Sequence, residues 1–206
     1  MSPRPAGLRQ FPAMTDRGEL SEAEREEARR RARGFDRIRQ WGDPVLRTPA
    51  ATVTDFDAAL ARQVAEMTAV VDDVGGAGIA APQLGSLTRV IVCRSEPDGP
   101  VAALVNPAVE EVADETDVAT EGCLSIGRAT VLVDVPRPVA VTVTARTPDG
   151  AETRIEAEGG PARVLLHEID HLDGVLMLER ALPDHRRAAL RALAAGEPWR
   201  PDDGDR

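Results

Sequence analysis

Residues 161–174 read Pro-Ala-Arg-Val-Leu-Leu-His-Glu-Ile-Asp-His-Leu-Asp-Gly. Pro161 suits the first turn of a helix, where its missing N–H leaves nothing unpaired, and Gly174 suits the position just past the end. Between them Ala162, Val164, Leu165, Ile169 and Leu172 recur at helical spacing and give the segment one apolar face. The same segment holds His167, Glu168 and His171 as H-E-x-x-H. A helix turns once in about 3.6 residues, so the two imidazoles leave one face and can grip a single cation, with the Glu168 carboxylate beside them. The chain has only 3 histidines, and two of them stand here. Two core histidines satisfied by hydrogen bonds are the plainer alternative; a metal site accounts better for the pattern.

Two histidines leave a cation short of ligands, so a third is needed, together with a position open to water. A third histidine six residues after His171 is absent, because position 177 is Met. Glu179 lies too near for the downstream glutamate of thermolysin-like enzymes. Cys123, within Glu121-Gly122-Cys123-Leu124-Ser125, is a candidate, since a thiolate binds Fe, Zn or Co well. Cys93 sits inside the apolar run Val90-Ile91-Val92 and reads as an inert buried thiol. A further segment, Gly76-Ala77-Gly78-Ile79-Ala80-Ala81-Pro82-Gln83, lacks the third glycine of a dinucleotide fingerprint and the lysine of a phosphate-binding loop. It reads as a tight wall of small residues ending in one amide, or simply as a loop between helix and strand.

Composition narrows the class. A chain of 206 residues supports one compact domain with tails. Aromatics make up 2% with no Tyr, so the core must come from Val, Leu, Ile and Ala. A formal charge of -10 opposes binding DNA through the whole surface. The 2 cysteines cannot form a disulfide framework, no apolar run reaches the ~20 residues of a membrane span, and no signal-peptide pattern opens the chain. A soluble cytoplasmic protein is expected. Residues 1–20, rich in Pro and Gly, are expected to be disordered. Ser21 with Glu24 forms a capping box for a charged helix to Arg33, with Glu26–Arg30 and Glu27–Arg31 as surface pairs. Thr54 is expected to cap a second helix running to Val74. Strands are expected at Arg89–Arg94, Ala102–Val105, Val131–Val135, Pro138–Thr144 and Thr153–Ala157, and an Arg-rich helix at Asp184–Ala195. The fold class is therefore α+β, with short antiparallel or mixed strands packed around a central helix that carries the metal motif.

The three segments occur in the order G-x-G-[IL]-A-A-x-Q, E-G-C-L-S, H-E-x-D-H-L, and this combination resembles the peptide deformylase family from about Ile38 to Arg180. Gly42-Asp43-Pro44-Val45-Leu46-Arg47 and Asp173-Gly174 belong to the resemblance as well. It implies removal of the formyl group from the N-terminal formylmethionine of newly synthesised polypeptides, with formate released. It further implies one divalent ion on Cys123, His167 and His171, usually Fe(II), with Zn(II), Ni(II) or Co(II) able to take the site. Glu168 is expected to move the protons, while the Gln83 amide and the Leu124 backbone N–H stabilise the developing oxyanion. Gly76, Gly78, Ile79 and Glu121 are expected to line the substrate. The chain departs from the family at Leu166, where Gln is common, at Gly127, where Pro is usual nearby, and at Gly160, where an aromatic is frequent.

The expected organisation is an extension over residues 1–34, disordered or helical, a catalytic domain over 35–182, and an Arg-rich helix with tail over 183–206. Asp170 points away from the histidines by helix geometry and is expected to pair with Arg137. Arg186, Arg187 and Arg191 offer a surface for ribosomal RNA, against a solvated face as the alternative. Two rivals remain, a zinc endopeptidase sharing H-E-x-x-H and a binding module that keeps the fold without turnover.

Overall fold

The computed structural model describes residues 21–94 and 99–201. The expectation for residues 1–20 lies outside them. In chain order the elements are α1 (Glu22–Arg37), α2 (Ala58–Val74), β1 (Gly78–Ala80), β2 (Val90–Arg94), β3 (Val101–Val112), β4 (Thr116–Gly122), β5 (Leu132–Pro138), β6 (Ala140–Arg146), β7 (Glu152–Glu158), α3 (Gly159–Leu172), α4 (Met177–Arg180) and α5 (Pro183–Ala195). Short 3-10 turns cover Pro44–Arg47, Ala81–Leu84 and Gly127–Ala129. The strands form a five-stranded sheet in the order β1-β2-β3-β6-β7 and a separate β4-β5 ribbon. Every ladder in both sheets is antiparallel, so the mixed arrangement is not realised among the described residues.

Apolar periodicity decides how these layers meet. Val141, Val143 and Ala145 are buried along β6, and with Leu104 they pack under Leu165, Ile169 and Leu172 of α3. The opposite face of the sheet puts Val90, Val92 and Val105 against Val70, Val71 and Val74 of α2. A third cluster joins Val133 and Val135 of β5 to Leu176, Met177 and Leu178, and Cys123 belongs to it. Aliphatic side chains supply nearly all of this core, as the scarcity of aromatics requires.

Several local expectations need correction. Thr54 does not cap α2: its hydroxyl donates to Asp55, while the Asp57 carboxylate accepts from Ala59 N and Leu60 N at 2.8 and 3.0 Å. A capping oxygen must sit two or three residues before the orphan N–H groups, and only Asp57 does. The capping box at Ser21 and Glu24 is present. The expected Glu26–Arg30 pair is replaced, because one face of that helix packs on α2: Arg30 turns to Asp73 at 3.7 Å and Glu26 bonds Arg33 at 3.0 Å, while Arg31 donates to the Val74 carbonyl and keeps the Glu27 charge beside it. Gly34 makes the approach possible, since a Cβ there would lie 2.6 Å from Val74 Cγ1. Strand β4 escaped the sequence reading because much of it is exposed and it lacks apolar alternation. The strand expected at Pro138–Thr144 runs from Ala140 to Arg146, since Pro138 closes β5.

Gly174 ends the motif-bearing helix region with φ +73, and a Cβ there would stand 2.7 Å from the Arg47 carbonyl oxygen. Left-handed backbone costs a side-chain-bearing residue roughly 1–2 kcal/mol before any clash. We expect Gly174→Ala to lower the thermal midpoint by at least about 2–4 °C for a chain of this size, read by calorimetry; an unchanged midpoint would contradict the packing described.

Candidate active site

Three donor atoms converge where β4 ends against α3. Cys123 follows β4 directly and is 2% exposed, while His167 and His171 leave one face of α3 with ring centroids 5.1 Å apart. The Cys123 thiol and one ring nitrogen of each histidine lie within 4.8 Å of one another. Cys123 Sγ stands 3.2 Å from His171 Nε2. Among the described residues this is the one cluster of three such side chains placed to hold a metal ion. Glu179 is elsewhere, bonding Arg47 at 2.9 Å and the Leu176 N–H at 2.8 Å. Cys93 lies on β2, and burial, aided by the Glu168 charge, pushes its thiol up to about 12, which makes it a poor ligand.

A layer of ion pairs orients these three side chains. His167 Nδ1 meets Glu121 Oε2 at 2.9 Å, which leaves Nε2 to face Cys123. Arg137 grips Glu121 with two bonds of 2.6 and 3.0 Å and reaches Asp170 at 2.9 Å. Arg163, one turn before His167, adds a bond to Glu121 at 2.8 Å and another to Asp117 at 2.6 Å. Burial by itself would raise the Glu121 carboxyl, but the hydrogen bonds from His167 and Arg137 prevail and hold it well below the usual carboxylate range. Burial would likewise lower His167, yet its bonds to Cys123 and Glu121 raise it well above the ordinary value. The hydrogen bonds that raise His167 thus favour positive charge at this point of the cage. His171 is driven well below its ordinary value by burial, then by the neighbouring His167 and Arg137 charges, and so presents a neutral ring.

Glu168 is 4% exposed, and its Oε2 is a buried oxygen without a hydrogen-bond partner among the described residues; His171 Nδ1 is another such atom. Its Oε1 lies 2.8 Å from where a Cβ on Gly78 would be. Gly78 therefore makes room for this carboxylate, which is a different reason for the glycine than passage of a substrate backbone. Gln83 is 1% exposed, accepts from Ala80 N at 2.8 Å through Oε1, and donates to Ser125 Oγ at 3.1 Å with Cys123 Sγ 3.8 Å away. The Leu124 carbonyl accepts from Gln40 at 3.1 Å, and the Leu124 side chain lies 3.2 Å from a Cβ built on Gly76.

A cleft of about 390 Å³ opens over these groups, lined by Gly76, Gly78, Gln83, Glu121, Leu124 and Glu168 among others. Ile79 is not on it. Alternation along β1 turns Ile79 into the core against α2 while Gly78 faces Glu168, so any contact of Ile79 with a bound peptide must use its backbone. Glu121 lines the cleft, but its carboxylate is taken by His167, Arg137 and Arg163. Leu166 packs against the α3 core instead. The sequence reading gives Arg163, Ser125 and Gln40 no role in the site; only Arg163 carries a signal for one, standing four residues before His167 on the same helix face.

The geometry agrees with what the chain is similar to. Residues 35–187 match the model of the polypeptide deformylase family. The chain belongs to the peptide deformylase family. It is 43% identical over 157 residues to the peptide deformylase of Thermotoga neapolitana, covering 76% of this chain and 93% of that protein. With peptide deformylase 1 of Corynebacterium efficiens it shares 40% identity over 162 residues, or 78% of this chain and 95% of the relative. The crystal structure of the peptide deformylase from Thermus thermophilus superposes with a TM-score of 0.72 at 37% identity, covering 78% of this chain and 93% of that one. Deformylases are metal enzymes, and the reaction of this chain is removal of the N-terminal formyl group from newly synthesised polypeptides.

If Gly78 exists to admit Glu168, then Gly78→Ala must push the carboxylate aside. We expect formate release to fall by at least ~10²-fold, the scale of a lost proton-transfer group, with bound metal per chain unchanged by elemental analysis; full activity in that variant would refute the assignment.

Proposed function

We propose that the chain deformylates its substrate with one divalent ion held by Cys123, His167 and His171 while Glu168 carries the protons. The convergence of one thiol and two imidazoles on a single point, beside a buried carboxylate oxygen that lacks a partner among the described residues, is the observation that carries this reading. The donor set fits Fe(II) as the ion at work in the cell, and equally admits Zn(II), Ni(II) or Co(II). When bound, such an ion polarises a carbonyl and brings the pKa of a water in its open position to about 7.

The residues then divide the work. Glu168, raised to about 7 by burial, accepts a proton from the attacking water and returns it to the departing amine. The new bond joins the water oxygen to the formyl carbon, and the carbon–nitrogen bond breaks, giving formate and a free N-terminus. Gln83 Nε2 and the Leu124 N–H meet the negative charge that grows on the formyl oxygen. A peptide in extended form fits between the free edges of β1 and β4, with Gly76, Gly78 and Glu121 along its path and Ile79 contributing main chain only. In this reading α3 is the central element of a catalytic domain spanning residues 35–182, preceded by the 1–34 extension and followed by the 183–206 helix and tail.

Formylated nascent peptides place the reaction in the cytoplasm, and no helix among the described residues is long and apolar enough to cross a membrane. Arg186, Arg187 and Arg191 are exposed on α5, and that exposure supports contact with ribosomal RNA near the emerging chain, where phosphate would displace Asp184 from Arg187. Glutamate at all three positions should abolish co-sedimentation with ribosomes; undiminished co-sedimentation would remove that contact.

Formate release from formyl-Met-Ala-Ser, with an N-blocked internal peptide left intact, separates this reading from an endopeptidase. Glu168→Ala should reduce the release by at least ~10²-fold while metal content stays near one ion per chain. Activity retained in that variant, or cleavage of the internal peptide, would overturn the proposal.

A further inference from the structure

We propose that Gln40 is a positioning residue for the reaction, holding the Leu124 N–H and the Gln83 amide in fixed relation around the formyl oxygen. The inference rests on the reading of those two groups as the oxyanion donors. They come from distant parts of the chain, Gln83 from the 3-10 turn after β1 and Leu124 from the turn after β4. Residues 39–41, which follow α1, bind both. Arg39 N donates to the Gln83 carbonyl at 2.7 Å, Gln40 Nε2 to the Leu124 carbonyl at 3.1 Å, and Trp41 N to the Ser125 carbonyl at 2.7 Å. Of these bonds only that of Gln40 uses a side chain, so it is the one that a substitution removes.

The Gln40 amide is itself held. Its Nε2 also donates to the Ile38 carbonyl at 3.2 Å, and its Oε1 accepts from Arg128 N at 3.2 Å. Carbonyls on the nitrogen side and an N–H on the oxygen side admit a single orientation of the amide. Arg128 stands at φ +52 and ψ 42, backbone that a residue with a side chain rarely adopts, and the Gln40 oxygen accepts its N–H there. Between the two anchors the turn is closed by Ile126 N, which donates to the Cys123 carbonyl at 3.0 Å. The Leu124 N–H shares a planar peptide with that carbonyl, so the bonds to the Cys123 and Leu124 oxygens together set its direction. Ser125 ties the same turn to Gln83, its hydroxyl accepting from Gln83 Nε2 at 3.1 Å. Donors fixed in this way need no rearrangement when charge develops on the formyl oxygen, which is where such donors act.

The test measures formate release from formyl-Met-Ala-Ser by the metal-loaded full-length chain, with kcat taken per bound ion so that loss of folded protein cancels. Gln40→Met keeps the length of the side chain and removes its hydrogen bonds. It should lower kcat by about 10- to 100-fold, the scale of a misplaced reacting group, while KM stays within about twofold of wild type, because the interaction is made only in the transition state. Gln40→Lys, which still donates to the Leu124 carbonyl, should restore most of kcat; Gln40→Glu, whose ionised carboxylate cannot donate, should not. A residue that served packing alone would not separate Lys from Glu in this way. Should Gln40→Met not fold, Gln40→Ala serves with the same expectation. An unchanged kcat in Gln40→Met, a loss expressed in KM, or a Lys variant as slow as the Met variant would overturn the role of Gln40. Full kcat in Gln83→Met would overturn the oxyanion reading, and this inference with it, whereas a slow Gln83→Met beside a fast Gln40→Met would overturn the role of Gln40 alone.

Discussion

The Arg137 guanidinium, clamped between Glu121 and Asp170, is the contact on which the rest of the site depends. Arg137 belongs to β5, Glu121 to β4 and Asp170 to α3, so one buried cation ties the ribbon that delivers Cys123 to the helix that delivers both histidines. Glu121 stands two residues before Cys123, and Asp170 is the residue before His171. Taking these charges out of water is expensive, and their mutual attraction offsets that only while every partner is in place. Arg180 completes the satisfaction of Asp170 at 2.8 Å, and Arg163 that of Glu121. What the network contributes is position more than stability: it fixes the distance between the thiol and the rings, and it fixes which nitrogen of His167 faces inward.

Charge then follows from place. The oxygens of Glu121 are saturated by two arginines and a histidine, so that carboxylate stays ionised behind Cys123 and His167. Glu168, on the same helix as the rings it accompanies, has an oxygen without a partner among the described residues, and burial raises its carboxyl to about 7. Two carboxylates a few residues from the same cage are thus pushed in opposite directions by their surroundings, and their roles separate accordingly. Gly78 on β1 is the steric counterpart of this arrangement, since no side chain fits where the Glu168 carboxylate stands.

Much of this was legible in the residues themselves. Helical spacing placed His167 and His171 on one face, and the alternating valines marked the strand that became β6. Asp170 pairs with Arg137, as helix geometry led us to expect. Other features are set by neighbours distant in sequence. Ile79 sits beside Gly78 in a motif of small residues, and only the pleat of β1 against α2 decides that it faces the core. Asp57 prevails over Thr54 because the first helical N–H groups lie within its reach. β4 has no apolar rhythm, being held by its ladder with β5, and α1 reads as a charged surface helix until Gly34 meets Val74. Gln40 and Ser125 join the site through bonds that span 84 and 42 residues of sequence, which no local pattern encodes.

Ligation by the Cys123 sulfur is the central claim, and the absorption spectrum of the Co(II)-substituted protein tests it most directly. A thiolate bound to Co(II) gives a near-ultraviolet charge-transfer band. The account requires this band in the wild-type chain and in Cys93→Ser, and its loss in Cys123→Ser. A wild-type spectrum without the band, or a band that survives in Cys123→Ser, would contradict it.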